Sequence, residues 1–150
     1  MKIFFDTNII LEFLQQRMQA DLVEQILELA SQRGDELYIS VGSFYTITYI
    51  IEQHLRRTKS YSPEDRLKKL RNILSGILDE FKIIWHNNET LLAGVTDSAF
   101  YDLEDSYQHQ AALMAGCKYL LTINDKDFAK IDTSRITITT PQQFLNNQKI

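Results

Sequence analysis

Three clusters of oxygen ligands fall at comparable points of this sequence, and their chemistry is that of a hard divalent cation. Asp6 and Asn8 follow the apolar run Ile3-Phe4-Phe5; Asp102, Glu104 and Asp105 precede the small-residue stretch 106–115; Asn124, Asp125 and Asp127 follow Leu120-Leu121-Thr122. Carboxylates brought together repel, so they raise one another's pKa values or share a cation. An all-oxygen set of carboxylates and amides suits Mg²⁺ or Mn²⁺, not zinc. Such a site polarises a phosphoryl oxygen and lowers the pKa of a water that attacks in line, which is the chemistry of a phosphodiesterase. The competing reading is structural, because Asp is a favoured helix cap and many α/β proteins place acids at helix N-termini.

The elements that must position these groups are legible from periodicity. Ile3, Phe4 and Phe5 read as a strand buried on both faces, as an open parallel sheet requires. Asp6 stands at its carboxyl end, the edge where such sheets bind ligands. Thr7 or Asn8 can cap a helix over 9–16, with Asp6 itself the alternative cap. A second helix over 21–31 carries Leu22, Ile26, Leu29 and Ala30 at helical spacing and stops at Gly34. Glu36–Ser40 is a strand, so the opening is a right-handed βαβ unit with parallel strands. A third helix over 41–57 turns Phe44, Ile47, Ile50 and Ile51 inward. Ser62 caps a fourth over 63–79, with Pro63 in its first turn and Leu67, Leu70, Ile73, Leu74 and Ile77 inward. Strand 81–85 follows, then a helix over 88–98 capped by Asn88 with Leu91, Leu92 and Val95 as its apolar face. The helix over 106–115 ends at Gly116, strands follow at 118–122 and 135–139, and Pro141 opens a last helix. This alternation predicts a three-layer α/β/α sandwich on a largely parallel sheet, one domain over 1–150.

Composition excludes several classes. The start runs into Asp6 too soon for a signal peptide, and no apolar run reaches membrane-spanning length, so the expectation is a cytoplasmic protein. Cys117 is alone, which excludes a disulfide framework and a cysteine zinc site, and its apolar neighbours predict a buried thiol. His54, His86 and His109 share no ligand spacing, and no Gly-rich phosphate loop occurs. The net charge of −4 does not advertise nucleic-acid binding, yet Arg56, Arg57, Lys59, Arg66, Lys68, Lys69 and Arg71 crowd one stretch. Acids can hold metal while a separate basic surface holds a phosphate backbone; the plain alternative is two solvated helix faces. Tyr45, Tyr49, Tyr101 and Tyr107 are half-buried packing residues or platforms for base stacking.

The segments Phe5-Asp6-Thr7-Asn8-Ile9-Ile10-Leu11, Leu103-Glu104-Asp105-Ser106 and Leu121-Thr122-Ile123-Asn124-Asp125-Lys126-Asp127-Phe128 carry a resemblance. In that order and over most of the chain, the sequence resembles the PIN-domain family, which includes the VapC-like toxins and other metal-dependent ribonucleases. The resemblance implies an Mg²⁺- or Mn²⁺-dependent endoribonuclease, RNA as substrate, an antitoxin protein as partner and a homodimer. It matches Asp6 to the family's first metal-binding aspartate and Asp105 to the acid opening the central helix. Asn124 takes the metal-side position and Asp127 the one before the phenylalanine. Asn8 matches a polar position that supports the first aspartate, and Glu104 is a ligand or faces solvent.

One departure stands out. The family commonly has a glutamate about six residues beyond the serine that ends the second strand, and counting from Ser40 reaches Thr46. Glu52 is no substitute, because six further residues turn a helix by about 240° and advance it by about 9 Å. Glu12, one turn after Asn8 on the same helical face, is the better candidate, with Asp102 and Glu104. With Asn124 also neutral, metal affinity should suffer, since it tracks ligand charge. The alternatives are an enzyme that needs more metal, one compensated by another acid, or a catalytically silent PIN-like module that binds RNA or a protein.

Overall fold

Among the described residues, β1 (Lys2–Phe5), β2 (Glu36–Ser40), β3 (Phe81–Ile84), β4 (Tyr119–Leu121) and β5 (Thr137–Thr139) form one sheet in the order β3-β2-β1-β4-β5. They belong to a computed structural model that describes residues 1–58 and 60–149; Lys59, one cation of the basic stretch, lies outside them. Every pairing is parallel, so the sheet is more uniform than the pattern required. Ile3 pairs with Leu37 on one side and Tyr119 on the other, and Phe5 pairs with Leu121, which makes β1 the central strand.

The helices are α1 (Thr7–Leu14), α2 (Ala20–Arg33), α3 (Val41–Thr58), α4 (Pro63–Glu80), α5 (Asn88–Thr96), α6 (Leu103–Ala115) and α7 (Pro141–Gln148). Alternation along β1 explains the layers. Ile3 and Phe5 point into a core shared with α1, α2, α3, α4 and α7, whereas Phe4 points into a second core with Ala111, Ala112 and Ala115 of α6. All three strand residues are fully buried, each contributing about 1.5–3 kcal/mol of transfer free energy. Phe5 meets Phe81 edge-on, with ring centroids 5.1 Å apart.

Several boundaries shift for capping reasons. The first helix starts at Thr7 because Asp6 is its cap, and α6 starts at Leu103 because Asp102 accepts the Glu104 N–H at 2.8 Å. Asn87 rather than Asn88 caps α5, in a reciprocal pair with Thr90. Ser62, Gly34 and Gly116 cap as expected, both glycines in the left-handed conformation (φ +67° and +68°). Leu91, Leu92 and Val95 do not pack inward, and Leu67 is also exposed. On α5 the buried position is Gly94: a Cβ there would come 2.7 Å from Tyr107 Cδ1, and Ser106 Oγ donates to Gly94 O at 2.7 Å. Close backbone approach therefore replaces a leucine face. Cys117 is buried, which pushes its thiol up to about 12 and leaves it unreactive. Among the described residues no helix is long and apolar enough to cross a membrane.

Candidate active site

β1 and β4 end side by side, and the Asp6 N–H continues their ladder by donating to Leu121 O at 3.0 Å. That fixes the Asp6 backbone while its side chain turns into the edge. Oδ1 accepts the Thr7 N–H at 2.7 Å, and Oδ2 accepts the Thr122 hydroxyl at 2.9 Å. Thr122 Oγ1 in turn accepts the Asn124 N–H at 3.1 Å. The carboxyl is buried, and burial raises its pKa to about 6, assisted by the charges of Glu104 and Asp102 and opposed by the two hydrogen bonds. Asp6 is therefore both the cap of α1 and a buried carboxylate at the ligand-binding edge; the two readings coexist.

Asp105 reaches the same edge from α6. It is buried, its carboxylate makes no hydrogen bond among the described residues, and its pKa rises to about 7. Burial is the main cause, followed by the charges of Asp6, Asp102, Asp127 and Glu104. Acids from all three sequence clusters thus share one electrostatic field.

A buried polar network beneath the carboxylates fixes their separation. Gln108 Nε2 donates to Thr7 Oγ1 at 2.9 Å and to Ser43 Oγ at 2.6 Å, and those two hydroxyls meet at 2.7 Å. Ser40 Oγ donates to Gln108 Oε1 at 2.9 Å and accepts the Ser43 N–H at 3.0 Å. Thr7 adjoins Asp6, and Gln108 lies one turn after Asp105, so the network ties α1, α3, β2 and α6 together at this point. Buried networks with every member satisfied specify a single arrangement. Ser43 and Gln108 escaped the sequence reading. Their signal was polarity on an inner stripe: Ser43 continues Ile47, Ile51 and Leu55, all buried, at four-residue spacing.

The remaining expected residues are distributed unevenly. Asn124 and Asp127 are exposed on a short 3-10 helix (Asp125–Phe128) and its cap, with the Asp127 N–H donating to Asn124 O at 3.0 Å. Asp102 caps α6, and Glu104 Oε1 accepts weakly from Thr7 Oγ1 at 3.4 Å. Asn8 and Thr46 are half-buried, Asn8 in the first turn of α1 and Thr46 one turn beyond Ser43. Glu12 is engaged elsewhere: Oε2 accepts the Gln19 N–H at 3.0 Å, and Oε1 lies 3.9 Å from Arg17 Nη1. It braces the α1–α2 turn and is not among the charges that raise Asp6 or Asp105. Glu52 pairs with Arg56 at 3.0 Å, away from the site. A cleft of about 440 Å³ lined by Tyr101, Asp102, Leu103 and Asp127 opens beside the acids.

A family model described as PIN domain matches residues 2–126. The chain belongs to the PIN domain family. Ribonuclease VapC1 of Aquifex aeolicus (strain VF5) is 29% identical over 144 residues, 95% of this chain and 92% of that protein. A chain of a toxin-antitoxin complex from Klebsiella pneumoniae superposes with a TM-score of 0.65 at 22% identity, covering 93% of this chain and 97% of its own. A chain of VapBC2 from Rickettsia felis, solved with a DNA fragment from the promoter, gives 0.63 at 16% identity over 93% and 98%. At such identities the likeness is one of fold.

In this PIN domain the donor set is sparse. Among the described residues no three His, Cys, Asp or Glu side chains converge closely enough to hold an ion together. The expected trio Asp6, Asp105 and Asp127 is therefore not gathered as a preformed cage. Two buried carboxylates with raised pKa values nevertheless lack a protein cation, since no ion pair among the described residues involves either. That charge state fits an ion bound through one or two carboxylates with water completing its shell, the habit of Mg²⁺.

Proposed function

We propose that this PIN domain is an Mg²⁺- or Mn²⁺-dependent endoribonuclease of the VapC type, the toxin of a toxin–antitoxin pair, working as a homodimer in the cytoplasm. The observation that carries this reading is the pair Asp6 and Asp105, buried at one sheet edge without a protein counter-charge. Support for the substrate and partner comes from a relative named as a ribonuclease and from fold neighbours solved as toxin–antitoxin complexes. Asp6 and Asp105 would hold the ion, with Asp127 and Asn124 reaching it through water and Asn8 supporting Asp6. A divalent ion bound there supplies a polarised phosphoryl oxygen and a water of lowered pKa. The chain's own contribution is positioning: Thr122 and the Thr7 N–H aim Asp6, and Gln108 holds α6 at a fixed distance from it. Desolvation of both acids strengthens their interaction with a bound cation.

The test is direct. Purified protein cleaves single-stranded RNA internally when Mn²⁺ or Mg²⁺ is added, and EDTA stops it. The silent-module reading is favoured by the neutral residues Thr46 and Asn124, and it requires RNA binding with no cleavage at any metal concentration. A second measurement addresses the depleted charge. Thr46→Glu lowers the Mn²⁺ concentration giving half-maximal cleavage by roughly tenfold or more, because affinity follows ligand charge. An unchanged metal titration would show that Thr46 does not face the ion.

A further inference from the structure

A cavity of about 330 Å³ between the α1–α2 turn and the outer half of α3 is lined by Gln15, Arg17, Tyr49, Ile50, Gln53, His54 and Arg57. No carboxylate lines it. The nearest acids are occupied: Glu12 caps Gln19 and lies 3.9 Å from Arg17, and Glu52 pairs with Arg56. Arg57 is exposed and forms no ion pair among the described residues. Gln15 organises the rest, because its Oε1 accepts from Arg17 Nη2 and its Nε2 faces His54 Nδ1 at 3.3 Å. The residues lining the cavity therefore carry two guanidinium groups, an imidazole, the Gln53 amide and the Tyr49 hydroxyl. Donors converging without a carboxylate make an anion receptor, and paired guanidiniums suit a phosphodiester.

Its place in the fold relates it to the acids. α1 and α3 follow adjacent parallel strands, so both start at the carboxylate edge, where Thr7 and Ser43 are hydrogen-bonded. Gln15 lies about 12 Å along α1 from Thr7, and Gln53 about 15 Å along α3 from Ser43. Tyr45 and Tyr49 stand one turn apart on the intervening helix face, 64% and 65% exposed. Exposed tyrosines leading to a donor pocket are the parts a single strand needs, stacking for bases and cations for backbone.

We propose that this pocket binds a backbone phosphate of single-stranded RNA a few nucleotides from the bond presented to Asp6 and Asp105. The proposal rests on the ribonuclease reading for its substrate, and the experiment separates the two. The full chain carrying Asp6→Asn, which leaves RNA intact, is titrated with a fluorescein-labelled single-stranded RNA, by anisotropy at several salt concentrations. Adding Arg17→Gln and Arg57→Gln weakens binding by at least about tenfold, the loss of a charge-assisted hydrogen bond. It also flattens the slope of log K against log salt by about 0.7 for each phosphate no longer neutralised. The pair Arg33→Gln and Lys118→Gln, which removes the same charge from exposed positions at the amino end of the sheet, leaves the affinity within twofold.

Equal losses in the two double variants would reduce the pocket to general electrostatics and overturn the proposal. Unchanged binding in the Arg17/Arg57 variant would overturn it too. So would a change of oligomeric state on gel filtration without a change in RNA affinity, which would make the face an interface between copies. If the protein with Asp6 intact cuts no RNA while Arg17 and Arg57 still govern binding, the nuclease reading falls and the phosphate pocket stands.

Discussion

Asp6→Asn is expected to eliminate the proposed RNA cleavage while making the metal-free protein more stable at pH 8. The loss follows from charge: Asp6 is the buried carboxylate held from two sides, and removing a preorganised electrostatic group from a water-excluded site lowers rate by at least about a hundredfold. The gain follows from the same burial. At pH 8 Asp6 is ionised although its surroundings push its pKa to about 6, so the native state carries an uncompensated charge. An amide has no such charge and keeps the geometry. Asn is as good a helix cap as Asp, so the Thr7 N–H retains its acceptor. Thr122 Oγ1 already accepts from the Asn124 N–H and has a second lone pair for an amide donor. Activity assays with Mn²⁺ and thermal melts in EDTA read the two effects separately. Lost activity with lowered stability would mean that Asp6→Asn acts by disrupting the fold, and retained activity would remove Asp6 from the site.

This coupling explains what the sequence disclosed and what it withheld. Strand β1 was legible because three consecutive apolar residues ending in Asp-Thr-Asn leave few alternatives, and all three are fully buried. The glycine stops at Gly34 and Gly116 and the Ser62–Pro63 start were legible because each satisfies a local backbone requirement. Capping at Asp6 and Asp102 was harder to place, since a side chain that can cap and can bind metal gives one signal for two roles. Here Asp102 holds the Glu104 N–H and also adds to the field on Asp105. The polar network of Thr7, Ser40, Ser43 and Gln108 depends on which elements face one another across the sheet edge, which spacing alone does not encode. Glu12 shows the reverse failure. Helical phase placed it one turn from Asn8, but the tight α1–α2 turn exposes the Gln19 N–H, and the nearest carboxylate satisfies it. Leu92 and Val95 failed for a related reason: a leucine at helical spacing predicts burial only if its helix packs by side chains, and α5 packs by Gly94.

The metal-free protein loses stability as pH rises from 5 to 8, and Mn²⁺ reverses the trend. The sign follows from linkage. Asp6 and Asp105 have folded pKa values of about 6 and about 7, above the ordinary carboxylate value of 3.8. A raised carboxyl binds protons more tightly when folded, so its contribution is fully present below pH 3.8 and is lost as pH climbs through 6 and 7. For buried Asp6 the whole shift corresponds to about 3 kcal/mol, of which roughly half accrues above pH 5; for a domain of this size that half is about 3–6 °C in Tm. The step below pH 5 runs against the other carboxylates: Glu36 and Asp132, held below the usual range by hydrogen bonds with Lys82 and Ser134, lose stability there. The clean window is therefore pH 5 to 8. A divalent ion held as proposed would bind the ionised pair, so its stabilisation would grow over the same interval in which the free protein weakens. Melting curves at pH 5, 6, 7 and 8 with EDTA or Mn²⁺ should diverge progressively, and Asp6→Asn should flatten both sets. Parallel curves with and without Mn²⁺ would show that the buried acids do not share an ion, and a Tm in EDTA that rises towards pH 8 would show that their repulsion is not what the fold withstands.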